Sequence, residues 1–211
     1  MLYIRTMLTR SLLLVAGLLL VSLIALPVQA QTSDSAQEEI RQLLQQRDQE
    51  IKRVLGDRDT FTEAQREQLK ALVNDDLDFR AMSRTALGPF WDDLMPAQRK
   101  EFVDVFSDIV RAQSLSDLGV YRSKVTYDSI TVEGDSARVV TTTVYRDTPT
   151  EVIYAMSRTD EGSWDVDDII LDGVSTAEGY ARSFQTVMRK KGFDPLMKSL
   201  RKKRDKMQAS S

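Results

Sequence analysis

The stretch Lys124–Leu171, KVTYDSITVEGDSARVVTTTVYRDTPTEVIYAMSRTDEGSWDVDDIIL, decides the fold. Before it the apolar residues recur with the period of a helix; along it the period is two. Four strands are predicted, at Lys124 to Glu133, Ser136 to Arg146, Thr150 to Arg158 and Ser163 to Leu171. The turns between them, Gly134-Asp135, Asp147-Thr148-Pro149 and Asp160-Glu161-Gly162, are short enough only for consecutive antiparallel hairpins. The alternation is not strictly apolar against polar. Val139 and Val140 point to opposite faces, and Val152 and Tyr154 oppose Ile153 and Ala155. A sheet with one face in water alternates more cleanly, so both faces are predicted to be at least partly covered.

Outward from the strands, the chain reads as helices on both sides. Ile40, Leu43, Leu44, Ile51, Val54 and Leu55 form one stripe among Glu, Arg and Gln. Thr62-Glu63-Ala64-Gln65 is a capping box that opens a second helix. Asp78 caps a short third helix that Gly88 ends, and Pro96 suits the first turn of a fourth. That fourth helix carries Phe102, Val103, Phe106, Ile109 and Val110 on a core-facing stripe. After the strands, Ser175-Thr176-Ala177-Glu178 reads as a second capping box, and its helix runs through Tyr180 and Phe184 to Gly192. Asp194-Pro195 begins a last helix with Leu196, Met197 and Leu200. Helices, then an antiparallel sheet, then helices spell α+β: helices packed around a curved four-stranded sheet, an arrangement suited to enclosing an apolar cavity.

The first thirty residues carry a separate signal. Arg5 and Arg10 are the only charges before Asp34, an apolar run spans Leu12 to Leu26, and Pro27 precedes Val28-Gln29-Ala30. This is the pattern of a secretory signal peptide cleaved after Ala30; an uncleaved membrane anchor is the rival reading. The mature chain, residues 31–211, is then a single exported domain with no cysteine for a disulfide or a lipid anchor. It carries 27 basic against 32 acidic residues, the wrong balance for nucleic acid. Nine basic residues follow Met188, opposed there only by Asp194 and Asp205. This basic tail, with Lys202, Lys203 and Arg204 at its centre, is either a solvated helix end or a docking surface.

The chain has no histidine and no cysteine, which removes His-based triads, thiol nucleophiles and the usual zinc sites. What remains is carboxylate chemistry. By strict alternation Asp168 shares a face with Trp164, Val166 and Ile170. There it is either a general base in a hydrophobic pocket, partnered by Tyr154 or Tyr180, or a structural carboxylate bonded to backbone amides. Periodicity alone does not separate pocket lining from ordinary core among the aromatic and aliphatic residues.

Several motifs share their order and spacing with a known family. Leu87-Gly88-Pro89-Phe90-Trp91, then Gln98-Arg99-Lys100-Glu101-Phe102 and Phe106, resembles the LG-x-x-W … Q-R-x-E-F-x-x-x-F pattern of MlaC-type periplasmic phospholipid-binding proteins, the toluene-tolerance family. Trp164, Val166, Asp168, Gly173-Val174-Ser175, Tyr180 and Phe184 match its W-x-V-x-D … G-V-S … Y-x-x-x-F signature, and Gly192, Asp194, Leu196 and Leu200 its final segment. One position departs: Ala181 stands where the family commonly has Arg after the Tyr. The resemblance implies a non-enzymatic periplasmic carrier without cofactor or metal. It would hold a phospholipid's acyl chains among Phe102, Phe106, Val139, Tyr154, Val166, Ile170, Val174, Tyr180 and Phe184. Its implied partners are an inner-membrane ABC transporter complex and an outer-membrane lipoprotein complex.

Overall fold

The computed structural model describes residues 28–209 apart from 59, 117 and 146. Most of the signal-peptide reading therefore lies outside the described residues. Val28, Gln29 and Ala30 are the first residues of a long helix, α1 (Val28–Leu55). Helices α2 (Glu63–Asn74), α3 (Phe79–Leu87) and α4 (Pro96–Ser114) follow, then a short 3-10 turn at Leu118–Arg122. The strands come next: β1 (Thr126–Glu133), β2 (Ser136–Tyr145), β3 (Thr148–Arg158), β4 (Trp164–Leu171) and β5 (Val174–Ser175). Helices α5 (Thr176–Lys191) and α6 (Phe193–Gln208) close the chain.

The predicted helix starts are made by the residues that announced them. Thr62 Oγ1 accepts from Gln65 N at 3.3 Å while Gln65 Oε1 accepts from Thr62 N at 3.0 Å, a complete capping box. Asp78 Oδ1 accepts from Arg80 N at 2.8 Å and Ala81 N at 2.9 Å. Ser175 Oγ accepts from Glu178 N at 3.0 Å, the forward half of the second box. Its own hydroxyl proton goes to Asp168.

The sheet has five strands in the order β1-β2-β3-β4-β5, all antiparallel, not four. The added strand follows a two-residue turn, Asp172-Gly173, with φ of 45° and 78°. Positive φ at both positions is the type I′ hairpin geometry, and Asp-Gly is its sequence signature. β5 is only two residues long because α5 starts at once. The β2–β3 turn is also tighter than predicted: Thr148 and Pro149 belong to β3. Proline is tolerated there because β4 pairs with β3 only from Val152 onward, so Pro149 lies where β3 is an edge.

Two bulges break the alternation. β1 shifts register between Tyr127 and Ser129, leaving Asp128 as the extra residue, and β4 shifts across Asp167. The second bulge corrects the sequence reading of faces. Val166 pairs with Met156, but Asp168 pairs with Ala155 and Ile170 with Ile153. Since β3 alternates without interruption, Trp164, Val166 and Ile169 share a face with Tyr154 and Met156, whereas Asp168 and Ile170 lie on the other. At the same place the α2–α3 linker docks on the free edge of β4. Val166 N donates to Asp76 O at 2.7 Å and Asp78 N to Val166 O at 2.9 Å, covering an otherwise open edge.

Three apolar clusters hold the fold. The first lies among α3, α4, α5 and α6, with Met82, Leu87, Phe102, Phe106, Phe184 and Met197 buried. The second packs Ala36 and Ile40 of α1 on Ile130, Val139, Met156, Trp164 and Val166 of the sheet. The third joins Ile51 and Leu55 at the end of α1 to Leu69 of α2. Leu77 packs against both the first and the second, and so links the helical layer to the sheet.

Candidate functional site

Four of the nine residues singled out as lining form one aromatic stack in the helical layer. Phe106 has Phe102, Tyr180 and Phe184 around it at centroid distances of 5.5, 5.0 and 5.7 Å, and Tyr180 stacks on Phe184 at 5.3 Å. The spacing that makes this possible is helical: i, i+4 on both α4 and α5. Three more, Val139, Tyr154 and Val166, belong to the sheet cluster under α1. The remaining two stand apart. Ile170 is half-buried on the opposite face of the sheet, and Val174 on β5 is 65% exposed beside its cross-strand partner Leu171, itself 46% exposed. Seven of the site residues thus fall in two separate clusters, and Ile170 and Val174 lie outside both.

Two grooves at the surface of the described residues are polar. One runs between α2 and α4 past Glu67, Lys70, Asp75, Asp108 and Arg111, and another lies along α1 at Leu43, Gln46, Arg47 and Glu50. Neither is the enclosed apolar cavity anticipated from the sequence. In the helical layer the aromatic rings pack directly on one another.

The sheet face beneath α1 has unusual polar content. Thr141 and Thr143 are buried there; Thr141 Oγ1 donates to Val152 O at 2.8 Å, while the Thr143 hydroxyl and the Trp164 indole N–H have no hydrogen-bond partner among the described residues. Burial pushes the Tyr154 phenol up to about 12, and the Asp48 carboxylate adds to the rise. Part of the Tyr154 surface is nevertheless accessible. Burial also raises Tyr127 and Tyr121, and each is affected in addition by Tyr154, so the three phenols lie near one another. Tyr121 donates to Ser114 O at 3.1 Å, which ties the 3-10 turn to α4.

Asp168 is fully engaged in structure. It accepts from Ile169 N at 2.9 Å, from Ala177 N at 3.1 Å and from the Ser175 hydroxyl. These bonds pin β4 to the positive end of α5. Tyr154 lies on the other face and is thus separated from Asp168 by the sheet, and the Tyr180 hydroxyl is engaged with Gln113, to which it donates. In the basic tail, Lys202 is exposed, the Lys203 ammonium sits 5.2 Å from the centre of the Tyr180 ring, and Arg204 donates to Asp205 at 2.9 and 3.0 Å.

Sequence reasoning missed Arg41, Leu77, Tyr121 and Tyr127. Arg41 extends 5.5 Å above the Tyr127 ring from the sheet-facing side of α1. The one visible signal was a cation beside Ile40 within three residues of the Leu43-Leu44 pair.

The family model described as MlaC protein matches residues 32–202. Among solved structures, the fold is similar to that of the phospholipid-binding protein from Ralstonia solanacearum, determined in complex with a phospholipid. The TM-score is 0.67 at 22% identity, over 82% of this chain and 98% of that one. Among curated proteins none matches. With a match across most of its length, the chain belongs to the MlaC protein family.

Proposed function

We propose that the protein is a periplasmic phospholipid carrier. It shuttles single lipids between an outer-membrane lipoprotein complex and an inner-membrane ABC transporter, and it performs no catalysis. The observation that carries this reading is the layered construction of the apolar interior. A helical aromatic cluster and a sheet cluster are linked through Leu77, and the sheet face under α1 carries buried threonines, a half-buried Tyr154 and, among the described residues, two polar side-chain atoms without a hydrogen-bond partner. Parting two such layers admits acyl chains without unfolding either one. The similar fold of a protein determined with a phospholipid supports the same reading.

The energetics suit a carrier. Two sixteen-carbon chains bring about thirty methylenes, roughly 24 kcal/mol gross at about 0.8 kcal/mol each. A bilayer offers the same burial, so exchange between membrane and carrier is nearly isoenergetic, as transport in either direction requires. Phe102, Phe106, Val139, Tyr154, Val166, Tyr180 and Phe184 would receive the chains from the two layers. Ile170 and Val174 would act at the sheet end, and Lys202, Lys203 and Arg204 would meet the partner complexes. Native mass spectrometry of the purified protein tests the reading. An adduct with the mass of a diacyl phospholipid is expected; a bare polypeptide that takes up no lipid from vesicles would refute it.

A further inference from the structure

The half-buried cations of α1 are not equivalent. Arg47 is paired with Asp76 at 2.7 Å, and Lys52 with Asp48 at 2.8 Å. Arg41 is half-buried as well, yet among the described residues it makes no ion pair and no hydrogen bond. Its contact is with the ring of Tyr127, 5.5 Å below. Partly desolvating a guanidinium without an anion is costly. Tyr127 beneath it, and Tyr154 near Tyr127, have matching chemistry. The Tyr127 and Tyr154 phenols donate to no described residue, although burial keeps both protonated and available as O–H donors. The carboxylate nearest them, Asp48, is already neutralised by Lys52. A guanidinium fork with neutral hydroxyl donors beside it is a receptor for a phosphate oxyanion, and a poor one for a cation or a purely apolar ligand.

We propose that Arg41 and Tyr127 hold the phosphodiester of the bound lipid, with Tyr154, farther into the sheet, donating to an ester carbonyl. This assignment rests on the carrier reading. Position supports it: Tyr127 lies on the edge strand β1 and Tyr154 on the interior strand β3. A lipid entering past Arg41 would place its phosphate at the rim and its chains inward, leaving the alcohol of the headgroup in solvent. The protein would then discriminate for the phosphate that all phospholipids share and not for the headgroup.

The test compares Arg41→Gln with wild type, both stripped of lipid. Each is titrated with phosphatidylethanolamine, with diacylglycerol carrying the same acyl chains, and with inorganic phosphate. Wild type should prefer the phospholipid, and Arg41→Gln should bind it about tenfold more weakly, a loss of about 1.4 kcal/mol, with diacylglycerol binding unchanged. Equal loss for both lipids, or no loss, overturns the assignment. Arg41-dependent binding of inorganic phosphate without any effect on phospholipid makes the site one for a free anion and also overturns it. Should Arg41→Gln not fold, Tyr127→Phe keeps the ring under the guanidinium and removes only the donor; it should weaken phospholipid binding and spare diacylglycerol. Wild type that takes neither lipid fails the carrier reading itself, a result distinct from equal binding by wild type and variant.

Discussion

Phe106 is the residue whose removal separates core from lipid site most sharply. It is fully buried, and three aromatic rings lie within 6 Å of its own. Phe106→Ala takes away the centre of that stack, and buried Phe→Ala changes cost about 3–5 kcal/mol when the cavity does not collapse. In a domain of this size each kcal/mol moves Tm by about 2–4 °C, so lipid-free variant should melt roughly 6–20 °C below wild type. The lipid-loaded pair should differ by less. An acyl chain that slides between the layers can place three or four methylenes where the ring was, recovering about 2–3 kcal/mol. Thermal or urea denaturation of stripped and loaded protein reads both quantities. A loss below about 1 kcal/mol without lipid would refute the burial argument. An identical loss with and without lipid would show that Phe106 is ordinary core that no acyl chain reaches.

Three further outcomes are expected. Burial raises the Tyr154 phenol from 10.0 to about 12, so the unfolded chain deprotonates first. Stability is whole below pH 10 and falls as pH climbs toward 12, by about 1.4 kcal/mol per pH unit for this one group. Tyr154→Phe should make alkaline urea denaturation less steep by that one proton; an unchanged profile would mean that Tyr154 is not the desolvated phenol. Val174 is 65% exposed, so Val174→Glu should fold with a stability change within about 0.5 kcal/mol. It should carry less lipid because an ionised group next to Leu171 repels acyl chains, and full lipid content would remove Val174 from the site. Reversing Lys202, Lys203 and Arg204 to glutamate should slow transfer to reconstituted partners at low salt, with lipid content kept. The difference should fade as the Debye length shrinks to about 3 Å near 1 M salt; equal rates at low salt would leave the tail a solvated helix end.

Much of this protein is written locally. Thr62, Asp78 and Ser175 each cap the helix that follows because a side-chain oxygen two or three residues away from an open N–H needs no distant partner. The hairpins follow from turns too short for any other connection, and the α4 and α5 aromatics meet because i, i+4 spacing puts them on one face. The fifth strand was not read from the sequence, although the Asp172-Gly173 turn that generates it has a local cause, since Asp-Gly needs no tertiary help to adopt positive φ. Other features have no local cause. The bulge at Asp167 sits where the α2–α3 linker bonds to Val166, about ninety residues away in sequence. Strict alternation therefore put Asp168 and Ile170 on the wrong face, and only the register of β3 against β4 reveals it. Leu77 is likewise an unremarkable leucine until folding sets it between two clusters. Arg41 reads in sequence as one more charge on a polar helix face. Its lack of an ion pair among the described residues, and its place above Tyr127, exist only once α1 lies across the sheet, because which charges find partners is settled by packing and not by spacing along the chain.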